Sequence, residues 1–503
     1  KGKDENVCTH VIVTGREISG AELIKSNSLL PNCDVPVYDL ELQKANENTF
    51  ISVTKDISSA LDQIRPDVLI YINEFKNEAI RGVDAALFAA SQNNQTITKI
   101  ALPIEDAKYM MWLTDLDIEA LKNWNTPNIE VQVITQDRPR SLSRLMRSLS
   151  SSIYFGDNVH LTVNMDRGAD PVTVKYCQTF EWSFGKMTIR YRIKQGGLIT
   201  AVVESYYPTT NDDYAIILED DIEVSPFYYI WSKYTILKYR YGADRSLTSR
   251  LFGVSLYDTK LNEYNTTGRK RYNPAKVLKN TKYPNQSPYL FPAPCSWGAL
   301  FFPEIWREFH YYQNARLQDV FGPKLQNINV PKSKSNSWPK SWKRFFIELT
   351  YLRGYVMLYP NYKKSVSFTT NHAEYGVHFR VKGKKKELWL LPLMKKDILL
   401  KGLPNNRLPD FKDLPTMDLW GNLATPEELI RSGRSLHSKI SICPPKDTDE
   451  LTYDPRDLLC VDNSTLSNNV NTNKLAAGEK NPAEGPIMED NIKSPINEKE
   501  LNL

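Results

Sequence analysis

Tyr214-Ala-Ile-Ile-Leu218, followed at once by Glu219-Asp220-Asp221, is the stretch on which the fold depends. Five uncharged residues in a row read as a central parallel strand covered on both faces. Upstream, Ile129–Thr135 is a second strand, and it runs into Gln136-Asp137-Arg138-Pro139. A helix over Ser141–Ser150 follows, with Ser141 as its expected N-cap. Next come a strand (Val159–Asn164), the turn Met165-Asp166-Arg167-Gly168, and a helix over Val172–Trp182. The strand Met187–Arg192 leads into Lys194-Gln195-Gly196-Gly197-Leu198 and a helix through Tyr206. Four strands separated by helices within about 90 residues predict an α/β fold with a doubly wound sheet.

Residues 1–126 give a separate α/β pattern. Val11–Gly15 and Val68–Ile72 read as short strands, with helices around Ile57–Ile64 and over Asp115–Trp124. The region lacks G-x-G-x-x-G, so a structural or partner-binding domain is expected rather than a dinucleotide site. Residues 127–382 form the main domain and 383–462 an extension packed on it, with a basic stretch at Lys384–Lys386 read as a solvated face. From Asn463 to Leu503 the chain is rich in Asn, Lys, Glu and Pro, and disorder is expected.

Composition narrows the classes. The 64 basic and 59 acidic residues leave a net charge of +5 on 503 residues, which excludes a polybasic nucleic-acid binder. The 27 Tyr, 18 Phe and 10 Trp exclude a wholly disordered chain. No apolar run is long enough to span a bilayer. The six cysteines lack C-x-x-C spacing. Cys8 with Cys33 and Cys443 with Cys460 read as terminal disulfides or as free thiols. The sequons at Asn94, Asn265, Asn285 and Asn463 occur at about the chance rate.

In an open α/β sheet, ligands bind beyond the carboxyl ends of the strands. Three predicted strands end in acids: Asp137, Asp166 and the triplet Glu219-Asp220-Asp221. With 59 acids in 503 residues, chance alone supplies about one such triplet, so its position carries the argument. Like charges capping an apolar strand repel one another unless a cation neutralises them. Hard oxygen ligands in an open site suit Mg²⁺ or Mn²⁺, with phosphate oxygens completing the shell.

The segment Val131–Leu149 resembles the opening strand of GT-A-fold glycosyltransferases, especially the N-acetylglucosaminyltransferase I type and eukaryotic glycosyltransferase family 2 proteins. Leu218-Glu-Asp-Asp-Ile-Glu-Val-Ser-Pro226 is similar to that family's variant of the Asp-x-Asp metal motif. Met165–Gly168, Gly196-Gly-Leu198, Phe252–Tyr257, Cys295–Phe302 and Trp342–Pro360 match in the same order, so the resemblance covers about residues 129–380. It implies a GT-A-like mixed sheet, a UDP-sugar donor and Mn²⁺ or Mg²⁺. Asp137 would lie at the nucleotide base, Asp166 near the ribose or uracil, Asp220 at the ribose or donor sugar, and Asp221 on the metal. Gly197 and Glu219 belong to the same donor site. A divalent ion stabilises a diphosphate leaving group, which leaves the protein to deprotonate an acceptor hydroxyl.

That base is where the sequence departs from the family. Lys343 and Arg344 stand where the resemblance expects an aspartate pair. Glu348, one helical turn beyond Arg344, reads as the catalytic base or as an ion-pair partner of Arg344. Asp258 and Asp319 are its rivals. His378 reads as a further metal ligand or as a surface histidine. Trp297 and Trp342 read as an acceptor wall or as core, and Arg138 and Lys194 as phosphate contacts or surface charge.

The expected activity is metal-dependent, inverting transfer of a sugar from a UDP-sugar to a hydroxyl of a glycan or glycoconjugate, with no nucleic-acid partner. The alternative is a degenerate GT-A protein acting as a binding or scaffold subunit. A nucleotidyltransferase is disfavoured by the missing Gly-rich, Lys-containing loop, and a processive synthase by the missing pore helices and Gln-x-x-Arg-Trp. The resemblance further implies a Golgi or other secretory-pathway lumen, behind a single membrane anchor absent from this chain, with the terminal cysteines paired. Oligomeric state is not legible.

Overall fold

The computed structural model describes Cys8–Leu459, apart from residues 15–18, 21, 23–35, 40–48, 75–76, 94, 318–327, 375–388, 397 and 442–450. The basic stretch at Lys384–Lys386 and the tail from Asn463 lie outside the described residues, as do Cys33, Cys443 and Cys460. Cys8 is a free, exposed thiol. Cys177 and Cys295 are buried free thiols. Among the described residues, no helix is long and apolar enough to cross a membrane.

The N-terminal region pairs β1 (Val11–Val13) with β2 (Val37–Asp39), and β3 (Val68–Asn73) with β4 (Thr98–Pro103), both in parallel. Helix α1 (Thr49–Ile64) buries Val53, Ile57 and Leu61 against Ala79, Val83, Ala86 and Ala90 of α2 (Glu78–Gln92). The 3–4 spacing of these positions makes one apolar stripe on each helix. The helix expected over Asp115–Trp124 is instead a 3₁₀ stretch, Ala107–Asp115, and then α3 (Ile118–Lys122). Asp117 begins α3 because its side chain accepts the Ala120 N–H. Ile100, Leu102, Trp112 and Trp124 share a core with Val131, Val133 and Ile216, so this region packs into the main body.

The main sheet is built from β5 (Asn128–Thr135), β6 (Leu161–Met165), β7 (Met187–Tyr191), β8 (Asp213–Glu219), β10 (Leu251–Ser255), β13 (Tyr289–Phe291), β14 (Ala299–Phe301), β15 (Val356–Tyr359), β17 (Thr416–Met417) and β18 (Leu423–Ala424). Between β8 and β10 the chain forms a separate short strand, β9 (Ile222–Val224). Between β10 and β13 it forms the hairpin β11 (Leu261–Asn262) and β12 (Lys270–Arg271), and after β15 comes β16 (Thr369–Asn371). The order across the main sheet is β18-β17-β13-β15-β10-β14-β8-β5-β6-β7.

Strands β8, β5, β6 and β7 are parallel, as their sequence predicts. Beyond β8 the doubly wound pattern stops: β14 inserts antiparallel between β8 and β10, and the sheet becomes mixed. Strands β17 and β18, from the C-terminal extension, complete its far edge. Helix α4 runs from Pro139 to Ser150, with Pro139 at its first turn. Ser141 is therefore inside the helix and not its cap. Proline lacks an N–H to satisfy and has φ preset for a first turn, which moves the start two residues upstream.

Helix α5 is Pro171–Thr179 and α6 is Gly197–Val203. Helix α7 (Tyr228–Ile236) is buried along its whole length. Its one cation, Lys233, lies over the Trp124 ring at 3.7 Å and donates to both Asp157 carboxylate oxygens at 2.6 and 2.7 Å. Burial lowers the Lys233 pKa, while Asp157 works against that shift. Tyr229 also donates to Asp157, at 2.6 Å. Asp157→Ala leaves a buried ammonium without its counter-charge and should cost about 3–5 kcal/mol of stability. Denaturant midpoints measure this, and the double replacement Asp157→Leu, Lys233→Met should recover most of the loss.

Candidate functional site

The carboxyl ends of β5, β6 and β8 meet at one edge of the sheet, because the three strands are parallel and in register. Thr135 ends β5, and its hydroxyl donates to Asp220 Oδ2 at 2.8 Å. The Asp220 N–H donates to the Ile134 carbonyl at 3.1 Å. Asp220 is thereby buried and fixed from below.

Arg138, just past the end of β5, reaches across to the triplet. Its Nη2 lies on Asp220 Oδ1, and its Nη1 is 3.7 Å from Asp221 Oδ2. Burial pushes the Asp220 carboxyl up to about 6, against the pull of Arg138 and Thr135. Burial and the negative charges of Asp221 and Asp220 push Glu219 up to about 8. Asp221 is also raised, with burial the main cause and Arg138 opposing it. Arg138 itself is held more firmly protonated: its own burial acts the other way, but the surrounding acids outweigh it. Asp221 keeps one buried oxygen, Oδ1, that accepts no hydrogen bond among the described residues.

A second set of residues clamps the triplet from the far end of the chain. β9 pairs antiparallel with β16. Immediately after β16 the His372 N–H donates to the Asp221 carbonyl at 3.0 Å, and the His372 ring lies 2.7 Å from Glu223 Oε2. Arg144 of α4 donates to Glu374 at 3.1 Å. Sequence reasoning missed Thr135, Arg144, Glu374 and Asn371, whose side chain hydrogen-bonds Asp221 and helps oppose the rise of its pKa. Each is a single polar residue whose partner lies elsewhere in the chain, so no local pattern announces it.

The remaining expected site residues separate into groups. Asp166 spends its carboxylate on backbone donors: Gly196 N–H at 3.1 Å, Gly197 N–H at 3.0 Å and Arg167 N–H at 2.9 Å. It ties the end of β6 to the glycine turn that opens α6. Gly197 has φ +68°, a left-handed conformation suited to glycine. Asp137 and Lys194 are exposed on the same rim.

Glu348, on the helix Trp342–Arg353, has no accessible surface. Arg316 donates to it at 2.9 Å, Tyr312 at 3.2 Å and Arg344 at 3.3 Å. Of its two sequence readings, the structure gives it the ion-pair one. Trp342 packs among Phe301, Trp306, Phe309 and Phe346, so it is core and not acceptor wall. Asp319 and His378 lie outside the described residues.

Asp258 follows β10, which runs in the same direction as β8 two strands away, about 10 Å across the sheet. Trp297, which precedes β14, stands between them. Its ring centroid is 4.9 Å from those of both Tyr257 and Trp389, and it is half-buried. Lys343 lies 5.9 Å from the same indole and is paired to Glu263 at 2.9 Å. Asp258 is 3% exposed, and burial pushes its carboxyl up to about 7, with Lys260 opposing.

No group of three His, Cys, Asp or Glu side chains among the described residues forms a closed metal cage. One or two carboxylates with phosphate oxygens are a normal set for Mg²⁺, and Mn²⁺ favours the same hard donors. Asp221, with its unpartnered oxygen beside Asp220, fits that requirement.

Comparison with known proteins gives partial matches. A family model described as the SPBC1E8.03c N-terminal domain matches residues 2–124, and one described as the SPBC1E8.03c C-terminal domain matches residues 140–255. No curated protein sequence matches the chain. Among solved structures, S. aureus TarS 1–349 is 10% identical over 46% of this chain and 58% of its own, with a TM-score of 0.29. GalNAc-T7 with UDP, GalNAc and Mn²⁺ is 16% identical over 49% of this chain and 44% of its own, with a TM-score of 0.30. The Pyrobaculum calidifontis mannosyltransferase PcManGT with GDP-Man and Mn²⁺ is 12% identical over 62% and 69%, with a TM-score of 0.29.

The raised Asp258 carboxyl makes a stability prediction. In the folded chain it keeps its proton up to about pH 7, whereas unfolded it releases the proton near 3.8. Its contribution to stability is therefore full below pH 4 and is lost as pH rises to 7, with a limiting slope of about 1.4 kcal/mol per pH unit. Glu219 and Asp220 titrate in the same sense, so the readout is a difference. Asp258→Asn should flatten the loss between pH 4 and 7, measured by urea denaturation at each pH. Parallel wild-type and variant curves would refute it.

Proposed function

We propose that this chain transfers a sugar from a nucleotide-sugar, best a UDP-sugar, to a hydroxyl of a glycan or glycoconjugate, with inversion at the anomeric carbon. The observation that carries the reading is the open oxygen of Asp221, held beside Asp220 at the carboxyl ends of parallel strands. This is where α/β sheets bind ligands. A divalent ion held by Asp221 and Asp220 would neutralise the diphosphate that leaves with the nucleoside.

The protein's own residues supply the rest. Asp137 and Lys194 border the rim where the nucleoside and its phosphates lie, and Asp166 fixes the Gly196–Gly197 turn beside them. Trp297, half-buried at this edge, offers its indole to the acceptor, with the buried Trp389 packed behind it. Asp258, which follows a strand two places across the sheet from β8, takes the role of base. A carboxyl raised to about 7 has the proton affinity that work near neutral pH requires. Glu348 is reassigned to holding Arg316 and Arg344. Placement in a secretory-pathway lumen belongs to the same proposal and rests on the sequence resemblance.

A second reading keeps the site and removes the transfer: a nucleotide- or glycan-binding subunit. Lys343 and Arg344 in place of an aspartate pair favour it, as does the Arg138 cation lying on Asp220.

Calorimetric UDP binding with and without Mn²⁺ tests the shared site. Wild type should bind UDP at least tenfold more tightly with Mn²⁺, about 1.4 kcal/mol, and Asp221→Ala should lose that gain. Equal binding by both at saturating Mn²⁺ removes the metal site from consideration. Hydrolysis or transfer across UDP-GlcNAc, UDP-Gal, UDP-Glc and GDP-Man separates enzyme from binding subunit. Asp258→Asn should keep UDP binding and lose about 10²- to 10⁴-fold in transfer. Unchanged transfer would release Asp258 from the role.

A further inference from the structure

Arg138 has a role that phosphate binding alone does not describe. Its guanidinium lies on Asp220 and 3.7 Å from Asp221, the two carboxylates that best fit a divalent ion. The side chain is anchored at the start of α4, where Pro139 fixes the backbone, and it is 30% exposed. One face therefore touches the buried acids and another remains open to the rim. Asp220 is 1% exposed, and its other oxygen is already taken by Thr135, so its anionic form depends on Arg138.

We infer that Arg138 is a built-in counter-cation that occupies the metal carboxylates until a diphosphate draws it away, so that metal and nucleotide are bound together and not independently. This rests on the proposed nucleotide-sugar reading and specifies how that site loads. A divalent ion arriving alone meets a positive guanidinium already holding its ligands, and like charges at such distances repel strongly in a site shielded from water. A diphosphate changes the balance. It offers the guanidinium a planar, doubly hydrogen-bonded anionic partner, which Arg favours. It also brings its own oxygens to the ion. A short rotation of a partly exposed side chain is all the change required. The consequence is a coupling free energy between two ligands that is reciprocal by linkage: whatever factor UDP adds to Mn²⁺ affinity, Mn²⁺ adds to UDP affinity.

Neutral replacement of Arg138 separates this from direct metal–phosphate bonding, which couples the two ligands in any variant. Mn²⁺ binding to the full chain without nucleotide is read by electron paramagnetic resonance of free Mn²⁺. UDP binding is read by calorimetry with and without the ion. Wild type should bind Mn²⁺ alone weakly. Arg138→Met and Arg138→Gln should bind it at least tenfold more tightly, and their UDP–Mn²⁺ coupling should shrink by a similar factor. Arg138→Lys keeps the charge and should stay close to wild type in Mn²⁺ binding alone. It also tests the idea if the neutral variants fail to fold, because its point charge should show partial relief of no more than a few-fold.

Neutral variants that bind Mn²⁺ alone no better than wild type overturn the inference while leaving the UDP-sugar site standing, provided wild type still shows UDP-dependent Mn²⁺ binding. A lysine variant that gains affinity as much as the neutral ones also overturns it, since charge would not be the cause. A wild-type chain with no UDP-dependent Mn²⁺ binding at all overturns both the inference and the functional reading beneath it.

Discussion

Successive acids at the end of a buried strand repel one another when ionised, and the cross-strand contact from Arg138 to Asp220 and Asp221 offsets that repulsion. Most other features at this edge serve the same contact. Parallel pairing of β5 with β8 brings Arg138 within reach. Pro139 starts α4 immediately after it and restricts the arm on which the guanidinium sits. Thr135 supplies the hydrogen bond that Arg138 cannot. A buried carboxylate deprived of such partners would take up a proton, and the neighbouring groups would lose the charge around which they are placed.

The two halves of the sheet do different work. The parallel half, β8 to β7, delivers strand ends and tight turns, with Asp166 pinning the glycine turn and Arg138 pinning the triplet. The mixed half delivers a wall: Tyr257, Trp297, Trp389 and the Lys343–Glu263 pair lie beyond the antiparallel strand β14. Antiparallel insertion of β14 places the chain entering it at the same edge as the chain leaving β8 and β10.

The parallel half was legible in sequence because apolar runs such as Tyr214–Leu218 and the punctuating turns after them are local signals. The acids at strand ends were legible for the same reason. Less of the mixed half was: Phe252–Tyr257 reads as a strand and falls on β10, but β17 and β18 are two residues long, too short to show any period, and only their partners define them. Glu348 illustrates the limit at the site. Its i,i+4 relation to Arg344 could be read from the helix, but Arg316 and Tyr312, which close it off from solvent, come from another helix. Trp342 and Trp297 are indistinguishable as letters, and only packing makes one core and the other rim. Ser141 misled because its cap preference is real, while Pro139 two residues earlier is a stronger start.

The ribbon of β9 and β16 sets a schedule for assembly as well as a geometry. His372 and Glu223, which close over the acid turn, are separated by 149 residues of chain. At about 5–20 residues per second, a ribosome releases the earlier strands roughly 7–30 s before the later ones exist to meet them. Through that interval the parallel strands can form around a turn whose upper clamp has not been made, with Arg138 as the neutralising contact already available. The residue that balances charge in the finished protein is thus also the one that can protect this edge of the nascent chain while it waits for its partner strand.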